Sequence, residues 1–367
     1  MNTLAAAAAP RAMSPQRRLG IALLVGTALL WLAGLLAGSD GWTLSPWQAL
    51  AALADPGHDW HLVVAQIRAP RTLGAWAVGA LLGLAGALAQ GLFRNPLADP
   101  YLLGSAAGAS LAVVLVLALG TVLGAGAAAG TGIGLGSGNV VGPARDLLAA
   151  ADQVGVVGAA FVGALVGIAL TLMLARGAAQ TLRLLLAGVV VGVMLTAVSD
   201  LVTTAVPQAL RGRQSFMLGN TALLGWGSVG WLVAGLALAL PLAWRLARVL
   251  DALALGEDSA RSLGLPLAQL RLALVALLAL ATGLAVSQAG LIAFVGLVAP
   301  HLVRRCVAVT HGTLLVASAA AGGALLLAAD VAARSLLAPQ ELPVGVLTAV
   351  LGGGYLLWLL QRRRAGA

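Results

Sequence analysis

Long apolar stretches separated by short polar ones recur along the whole chain. Ten of them can be placed, at residues 19–37, 73–92, 101–123, 154–174, 182–206, 229–249, 270–287, 291–302, 314–329 and 344–360. Most approach the roughly 20 apolar residues that an α-helix needs to cross a hydrocarbon core about 30 Å thick. The pattern therefore predicts an all-α, polytopic membrane protein with about ten transmembrane helices packed as one bundle.

The eighth stretch, residues 291–302, differs from the others in length and carries Pro300 near its end. It is too short to span a bilayer as a straight helix exposed to lipid. We expect it either to pack inside the bundle or to extend into a flanking segment.

Composition agrees with a membrane protein and limits its chemistry. Apolar residues make up 60% of the chain and charged residues only 9%, against about 25% charged residues in a soluble domain. All 21 basic residues are arginines. Because a P-loop needs a lysine to reach the terminal phosphates, this chain does not bind ATP by that route. The one cysteine, Cys306, offers neither a disulfide framework nor a metal cluster, so no cofactor or metal is expected on the chain itself.

The arginines also predict an orientation. An even number of spans places both termini on one side, and with the termini inside, fifteen arginines are cytoplasmic and six are outside. The six outer ones are Arg68, Arg71, Arg145, Arg211, Arg213 and Arg334. The predicted organisation is a cytoplasmic tail at residues 1–18, a transmembrane domain at 19–361 and a second tail at 362–367. The net charge of +9 is then explained by the orientation of the chain in the membrane rather than by nucleic-acid binding.

Two connecting stretches stand out by composition. Residues 120–142 are rich in Gly, Ala and Ser, and are expected to form a flexible outer loop or a ragged extension of the third span. Within a cytoplasmic loop at about 250–269, Gly256 is expected to end one helix, and Asp258 or Ser259 to cap a short second one. That short helix is either a lever for a soluble partner or only a well-capped connection.

Small and mildly polar residues share one face of the fifth span. They are Gly188, Gly192, Thr196, Ser199 and Thr203, spaced three or four residues apart. Such a face either lets two helices approach closely or lines a pathway wide enough for a bulky substrate. The spacing alone favours close packing, which is the commoner use of small residues in membranes.

Charges inside the spans are nearly absent. Asp200 and Asp330 are placed near the outer ends of spans, where water or a helix cap could satisfy them. An ion-coupled transporter usually needs buried carboxylates, histidines or broken helices at mid-bilayer. The sequence therefore argues against an ion-coupled transporter and equally against an intramembrane enzyme.

Five motifs in order resemble one family, the vitamin B12, iron-siderophore and haem permeases of ATP-binding-cassette importers. They are RAPR at residues 68–71, RNPLADPYLLG at 94–104, LG-x3-A-x2-LG at 255–264, GLIAFVGLVAPHLVRR at 290–305 and ELPVGVLTAVLGG at 341–353. The resemblance covers nearly the whole chain, from about Leu62 to Leu360. It implies a two-fold dimer of two permeases in the bacterial inner membrane, two ATPase subunits that bind ATP and Mg²⁺, and a periplasmic binding protein.

The resemblance also implies roles for individual residues. It changes the favoured role of the small-residue face of the fifth span, Gly188 to Thr203, from helix packing towards lining the pathway. It places binding-protein docking at Arg68, Arg71 and Arg334, for which head-group contact or pairing with Asp330 and Glu341 is the alternative. It places contact with the ATPase at Leu255, Gly256, Glu257, Ala260, Arg261, Leu263 and Gly264.

The substrate is the least determined of these expectations. Haem or a ferric siderophore is preferred because such substrates are frequent in the family, and cobalamin is the second choice. An ion-driven transporter and a membrane-anchored scaffold are the remaining alternatives.

Overall fold

The computed structural model describes residues 14–38, 41–122, 143–177 and 181–364. The expected glycine-rich loop lies outside these ranges from residue 123 onwards, as do the first 13 residues of the N-terminal tail. The helices are α1 (Pro15–Leu36), α2 (Pro46–Ala54), α3 (Ala69–Phe93), α4 (Ser105–Val122), α5 (Pro143–Leu174), α6 (Thr181–Ala205), α7 (Ala209–Leu218), α8 (Trp226–Arg245), α9 (Ala247–Ala254), α10 (Glu257–Ser262), α11 (Leu267–Ala289), α12 (Val295–Cys306), α13 (His311–Ser335) and α14 (Val344–Arg364).

Four small elements lie between these helices. A π-helical segment, Leu62–Arg68, leads directly into α3, and a short 3₁₀ helix, Pro100–Leu103, precedes α4. Two strands of two residues each, β1 (Ala37–Gly38) and β2 (Gly41–Trp42), pair in antiparallel fashion after α1. The predicted all-α class is confirmed.

The predicted spans correspond to helices at the expected positions. In the described ranges, seven helical stretches are long and apolar enough to cross a membrane, and two shorter apolar ones, Ser105–Thr121 and Val344–Leu359, accompany them. With α12 in the place of the eighth stretch, the prediction of about ten membrane helices agrees with the fold.

Helix α3 forms the centre of the bundle, where it packs along α13. Glycines allow this close approach, since a Cβ at Gly79 would lie 2.3 Å from the carbonyl oxygen of Gly322. A Cβ at Gly83 would lie 2.1 Å from the carbonyl oxygen of Ser318. The two backbones are therefore in direct contact, as small residues permit in membrane bundles.

Helix α12 lies inside the bundle against α3 and α13. Its residues from Val295 to His301 are buried, and the chain enters it through Phe294, which has a left-handed backbone with φ 67°. The contact with α3 is tight, because a Cβ at Gly86 would meet the carbonyl oxygen of Gly296 at 1.7 Å. Packing inside the bundle is thus the correct one of the two expectations for this segment.

The connections divide the bundle into two ends. Helix α7 joins α6 to α8 at one end, and α9 and α10 join α8 to α11 at the other. We call these the α7 end and the α10 end. Helices α1 and α6 lie at the periphery with much of their apolar surface exposed, α1 against α13 and α6 against α4 and α5.

Candidate translocation site

A groove of about 560 Å³ opens along the exposed side of α6. Helix α6 forms one wall, and α4 together with the 3₁₀ segment before it forms the other. We call this the α6 groove. Its lining is largely small or apolar, and includes Ala106, Ala107 and Ser110 from α4 and Met217 from α7.

Three of the five small residues predicted from the fifth span line this groove. They are Gly188, Gly192 and Thr196. Ser199 and Thr203 are instead buried. At 3.6 residues per turn, Ser199 and Thr203 lie in the same sector of α6 as the three groove residues, so rotation of the helix does not separate them. They are buried because α4 and α7 pack against this end of α6 and cover it.

The small-residue face of α6 both packs against a neighbouring segment and lines the groove. A Cβ at Gly188 would lie 2.1 Å from the carbonyl oxygen of Leu102, so this glycine is needed for close helix contact. Gly192 has no heavy atom within 4 Å of such a Cβ, so it faces open space. The Thr196 hydroxyl donates to the carbonyl oxygen of Gly192 at 2.8 Å, which leaves the wall only weakly polar.

The floor of the groove is held by the turn between α3 and α4. The Asp99 carboxylate accepts from the Tyr101 backbone N–H at 2.8 Å, and the Tyr101 hydroxyl donates to the Ile292 carbonyl oxygen at 3.1 Å. Burial raises the pKa of Asp99 to about 6, and the hydrogen bond from Tyr101 opposes part of that rise. The turn that contains the Asn95-Pro96 and Asp99-Pro100 pairs thus positions Leu102 and Gly104 in the lining.

One ion pair lies in the groove wall, and the sequence analysis gave it no role. A guanidinium nitrogen of Arg213, on α7, donates to Asp200, on α6. Both residues line the groove. The signal that could have identified the pair is the placement of an acidic and a basic residue at facing ends of consecutive helices.

The three arginines predicted for docking are buried near the α7 end. Arg71 donates from Nε and Nη2 to Asp330 Oδ1 at 3.2 and 3.1 Å, and from Nη1 to both carboxylate oxygens of Glu341 at 3.0 and 2.8 Å. Arg334 donates to Asp330 Oδ2 at 2.5 Å, and the Thr221 hydroxyl donates to Oδ1 at 2.6 Å. We call Arg71, Arg334, Asp330 and Glu341, with Arg68, the arginine cluster.

Two of these arginines also cap the C-terminal end of α1. Arg68 donates to the carbonyl oxygens of Leu35 and Leu36 at 3.2 and 2.8 Å. Arg334 donates to those of Gly34 and Ala37 at 3.0 and 3.3 Å. The last carbonyls of a helix have no partner within it, and cations stabilise that end of the helix dipole. The cluster therefore fastens the peripheral α1 to the bundle.

The cluster changes the interpretation of these residues. Asp330 is fully buried and bound by two arginines and a threonine, so the expectation that water or a helix cap satisfies it is wrong. Pairing with Asp330 and Glu341, the alternative to docking, occurs for Arg71, and pairing with Asp330 occurs for Arg334. Docking of a binding protein at these arginines stays a prediction.

At the opposite end, α10 has the predicted form with one difference. Gly256 and Gly264 bracket it with positive φ angles of 115° and 72°, as expected of helix-ending glycines. The expected cap from Asp258 or Ser259 is wrong, because Gly256 occupies the N-cap position and no side chain caps the helix. Within α10 Ala260 is buried, whereas Leu255 before the helix and Leu263 after it are exposed.

A carboxylate fixes α10 to the bundle. Glu257 accepts from Arg271 of α11 at 2.6 Å, and lies 3.5 Å from Arg261 and 3.8 Å from Arg94. Arg94 begins the turn after α3, so α10 is joined to both α3 and α11.

Comparison with known proteins assigns the chain to a protein family. The sequence model of the FecCD transport family matches residues 24–362. The chain belongs to the FecCD transport family. It is 39% identical to the hemin transport system permease protein HmuU of Yersinia pestis over 83% of this chain and 84% of the relative. It is also 39% identical to the vitamin B12 import system permease protein BtuC of Salmonella paratyphi A, over 96% of this chain and 98% of the relative.

A solved structure agrees with the fold. The inward-facing conformation of a "putative metal-chelate type ABC transporter" superposes with a TM-score of 0.73 at 24% sequence identity, covering 94% of this chain and 99% of that one. The protein is thus a multi-pass permease subunit of an ABC importer. In such importers the ATPase is a separate subunit, and a binding protein is a further partner.

Proposed function

We propose that this permease moves a ferric chelate, either haem or an iron-siderophore complex, from the periplasm to the cytoplasm. The observation that carries the proposal is the α6 groove, whose small and weakly polar wall suits a bulky ligand already selected by a binding protein. A volume of about 560 Å³ lies within the usual range of roughly 300–1,000 Å³ for small-molecule sites.

Cobalamin is the second candidate substrate. The vitamin B12 permease of Salmonella paratyphi A matches over 96% of this chain, a longer alignment than that of the hemin permease at the same identity. The small lining of the groove is compatible with either ligand.

The groove is proposed to be closed by a second copy of the chain. In one chain it is open along α6, where Val193, Met194 and Leu201 are exposed. On α14, Val350 and Leu351 are exposed as well. A two-fold axis along this side would place each lining residue twice around one pathway, as in isologous dimers.

We propose that the α10 end is cytoplasmic and the α7 end periplasmic, in the bacterial inner membrane, with both termini cytoplasmic. The distribution of arginines supports this orientation. The ATPase, with its ATP and Mg²⁺, would contact Leu255, Leu263 and the helix between them. The binding protein would approach the arginine cluster, where its carboxylates would have to displace Glu341 from Arg71.

Transport then follows from alternating access. ATP binding closes the partner ATPases, α10 moves with them, and α6 with its neighbours changes the side to which the groove opens. The energy for the switch comes from the different affinity of the partners for the two states.

Reconstitution tests the proposal. The permease, its ATPase and its binding protein are placed in proteoliposomes, and uptake of hemin, a ferric siderophore and cyanocobalamin is measured with and without ATP. We expect ATP-dependent uptake of a ferric chelate that requires both partners. Uptake of cyanocobalamin alone would select the second candidate. Uptake that survives without the ATPase but collapses with the ion gradient would indicate an ion-driven transporter, and no uptake at all a scaffold.

A matched pair of variants tests the α10 contact. Leu263→Asp is expected to abolish ATP-dependent uptake, because an unpaired charge enters the contact with the ATPase. Leu336→Asp, at an exposed leucine after α13 near the α7 end, is the control and is expected to keep ATPase binding. Equal co-purification of the ATPase with both variants would contradict the assignment of α10.

A further inference from the structure

We infer that Arg213 determines specificity by binding a carboxylate of the transported ligand. While the groove is empty, the carboxylate of Asp200 occupies the position on Arg213 that the ligand carboxylate takes. The inference rests on the proposed function and narrows the substrate class. It assigns to the permease a preference for metal chelates that have an apolar body and carboxylates along one edge.

The first observation is where the charge lies. Among the described residues that line the α6 groove, Asp200 and Arg213 carry the only charges. The remaining lining is small or apolar, with Val189, Val193 and Met217 prominent. A ligand in the groove therefore meets apolar surface along its body and an ion pair at the α7 end. In the proposed orientation this is the end at which the ligand enters.

The second observation is an asymmetry within the pair. The Arg213 side chain is only 17% exposed, whereas the Asp200 side chain is 58% exposed. The Arg213 guanidinium is partly shielded from water, so it gains from having an anion beside it. The exposed carboxylate can return to water at little cost, since exposed ion pairs contribute little. In an exchange, Asp200 therefore leaves and Arg213 stays.

The third step is the chemistry of the exchange. A guanidinium presents several N–H donors in a planar fork, and it binds a carboxylate through two parallel hydrogen bonds. An iron porphyrin has an apolar ring with carboxylates at one edge, so it can displace Asp200 and rest its ring on the apolar wall. The amide side chains around a corrin ring are neutral and cannot replace Asp200, so a cobalamin could pair with Arg213 only through its single phosphodiester and not through a carboxylate.

The test compares two ligands that differ only in this charge. The complex with the ATPase and binding protein is reconstituted in proteoliposomes, and uptake of hemin is compared with that of hemin dimethyl ester, each supplied on the binding protein. We expect the wild-type protein to favour hemin by about tenfold, the factor that one charge-assisted hydrogen bond supplies. In Arg213→Gln the two uptake rates should become equal. Arg211→Gln, at an exposed arginine on the same helix, is the control and should keep the preference.

A charge exchange separates recognition from a purely structural pairing. In the double variant Asp200→Arg with Arg213→Asp, the ion pair can re-form with its charges exchanged. The less exposed position, 213, then carries the carboxylate in place of the guanidinium. If Arg213 binds the ligand, hemin preference stays lost although the complex assembles and hydrolyses ATP. Restored preference in the double variant, or an unchanged preference in Arg213→Gln, would overturn the inference while leaving the proposed function intact. A wild-type complex that transports cyanocobalamin but not hemin would instead overturn the ferric-chelate function, and this inference with it.

Discussion

Two carboxylates near the α7 end, Asp330 and Asp200, differ in burial and in the number of their partners. Asp330 is fully buried and accepts from two arginines and a threonine, whereas Asp200 is largely exposed and pairs with one arginine. Desolvation makes the first contact costly to break, and solvation makes the second easy to exchange. Aspartate and arginine therefore form a permanent ion pair in the arginine cluster and an exchangeable ion pair in the groove.

The largest effect is expected at the centre of the cluster. Asp330→Asn keeps the shape of the side chain but leaves Arg334 without its carboxylate, and should destabilise the bundle by about 3–5 kcal/mol. The matched change Asp200→Asn should cost less than about 1 kcal/mol. Thermal unfolding of the detergent-solubilised protein measures both. Similar losses for the two variants would remove the distinction between a fixed and an exchangeable contact.

The next effect concerns the capping of α1. Arg68→Gln removes a charged donor from the carbonyl oxygens of Leu35 and Leu36, and should cost about 1.5–3 kcal/mol. Hydrogen exchange should increase at the end of α1 and remain unchanged in α10. If exchange there is unaffected, the cluster does not fasten α1.

The small-residue face of α6 offers a third, smaller contrast. Gly188→Ala places a Cβ 2.1 Å from the carbonyl oxygen of Leu102, and overpacking of this kind should cost about 1–3 kcal/mol. Gly192→Ala enters open space and should leave the unfolding temperature unchanged. Equal destabilisation by the two alanines would mean that the face packs along its whole length.

Within the arginine cluster, the smallest effect is expected at Glu341. Glu341 is partly exposed, so Glu341→Gln should destabilise the protein by only about 1 kcal/mol, although it contacts Arg71 with both oxygens. The loss should shrink further in high salt, because exposed charges are screened. A loss as large as that of Asp330→Asn, insensitive to salt, would show that Glu341 belongs to the fixed part of the cluster.

Much of the fold follows from local pattern. Apolar length predicted the positions of the spans, because the hydrocarbon core fixes how many residues a helix needs. The short helix α10 followed from Gly256 and Gly264, since a positive φ is readily accepted by glycine alone. The shortness of α12 left two possibilities, packing inside the bundle or extension into a flanking segment, and the structure shows the first. Its N-cap at Phe294 had no sequence signal, because a left-handed bulky residue is held there only by its surroundings.

The candidate site was predictable only in part. Helical spacing placed Gly188, Gly192 and Thr196 on one face, and the structure brings all three to the groove. The same spacing included Ser199 and Thr203, which share that face but are buried, because α4 and α7 pack against this end of α6.

The sequence by itself determined that the chain is a helical membrane protein, where its spans lie and to which family of transporters it belongs. Only the tertiary structure decided which charges are fixed and which are exchangeable. Arg71 and Asp330 are 259 residues apart in the chain and yet share two hydrogen bonds. Burial and partnership depend on elements that meet only after folding, and they decide whether an arginine supports a helix or is available to a ligand.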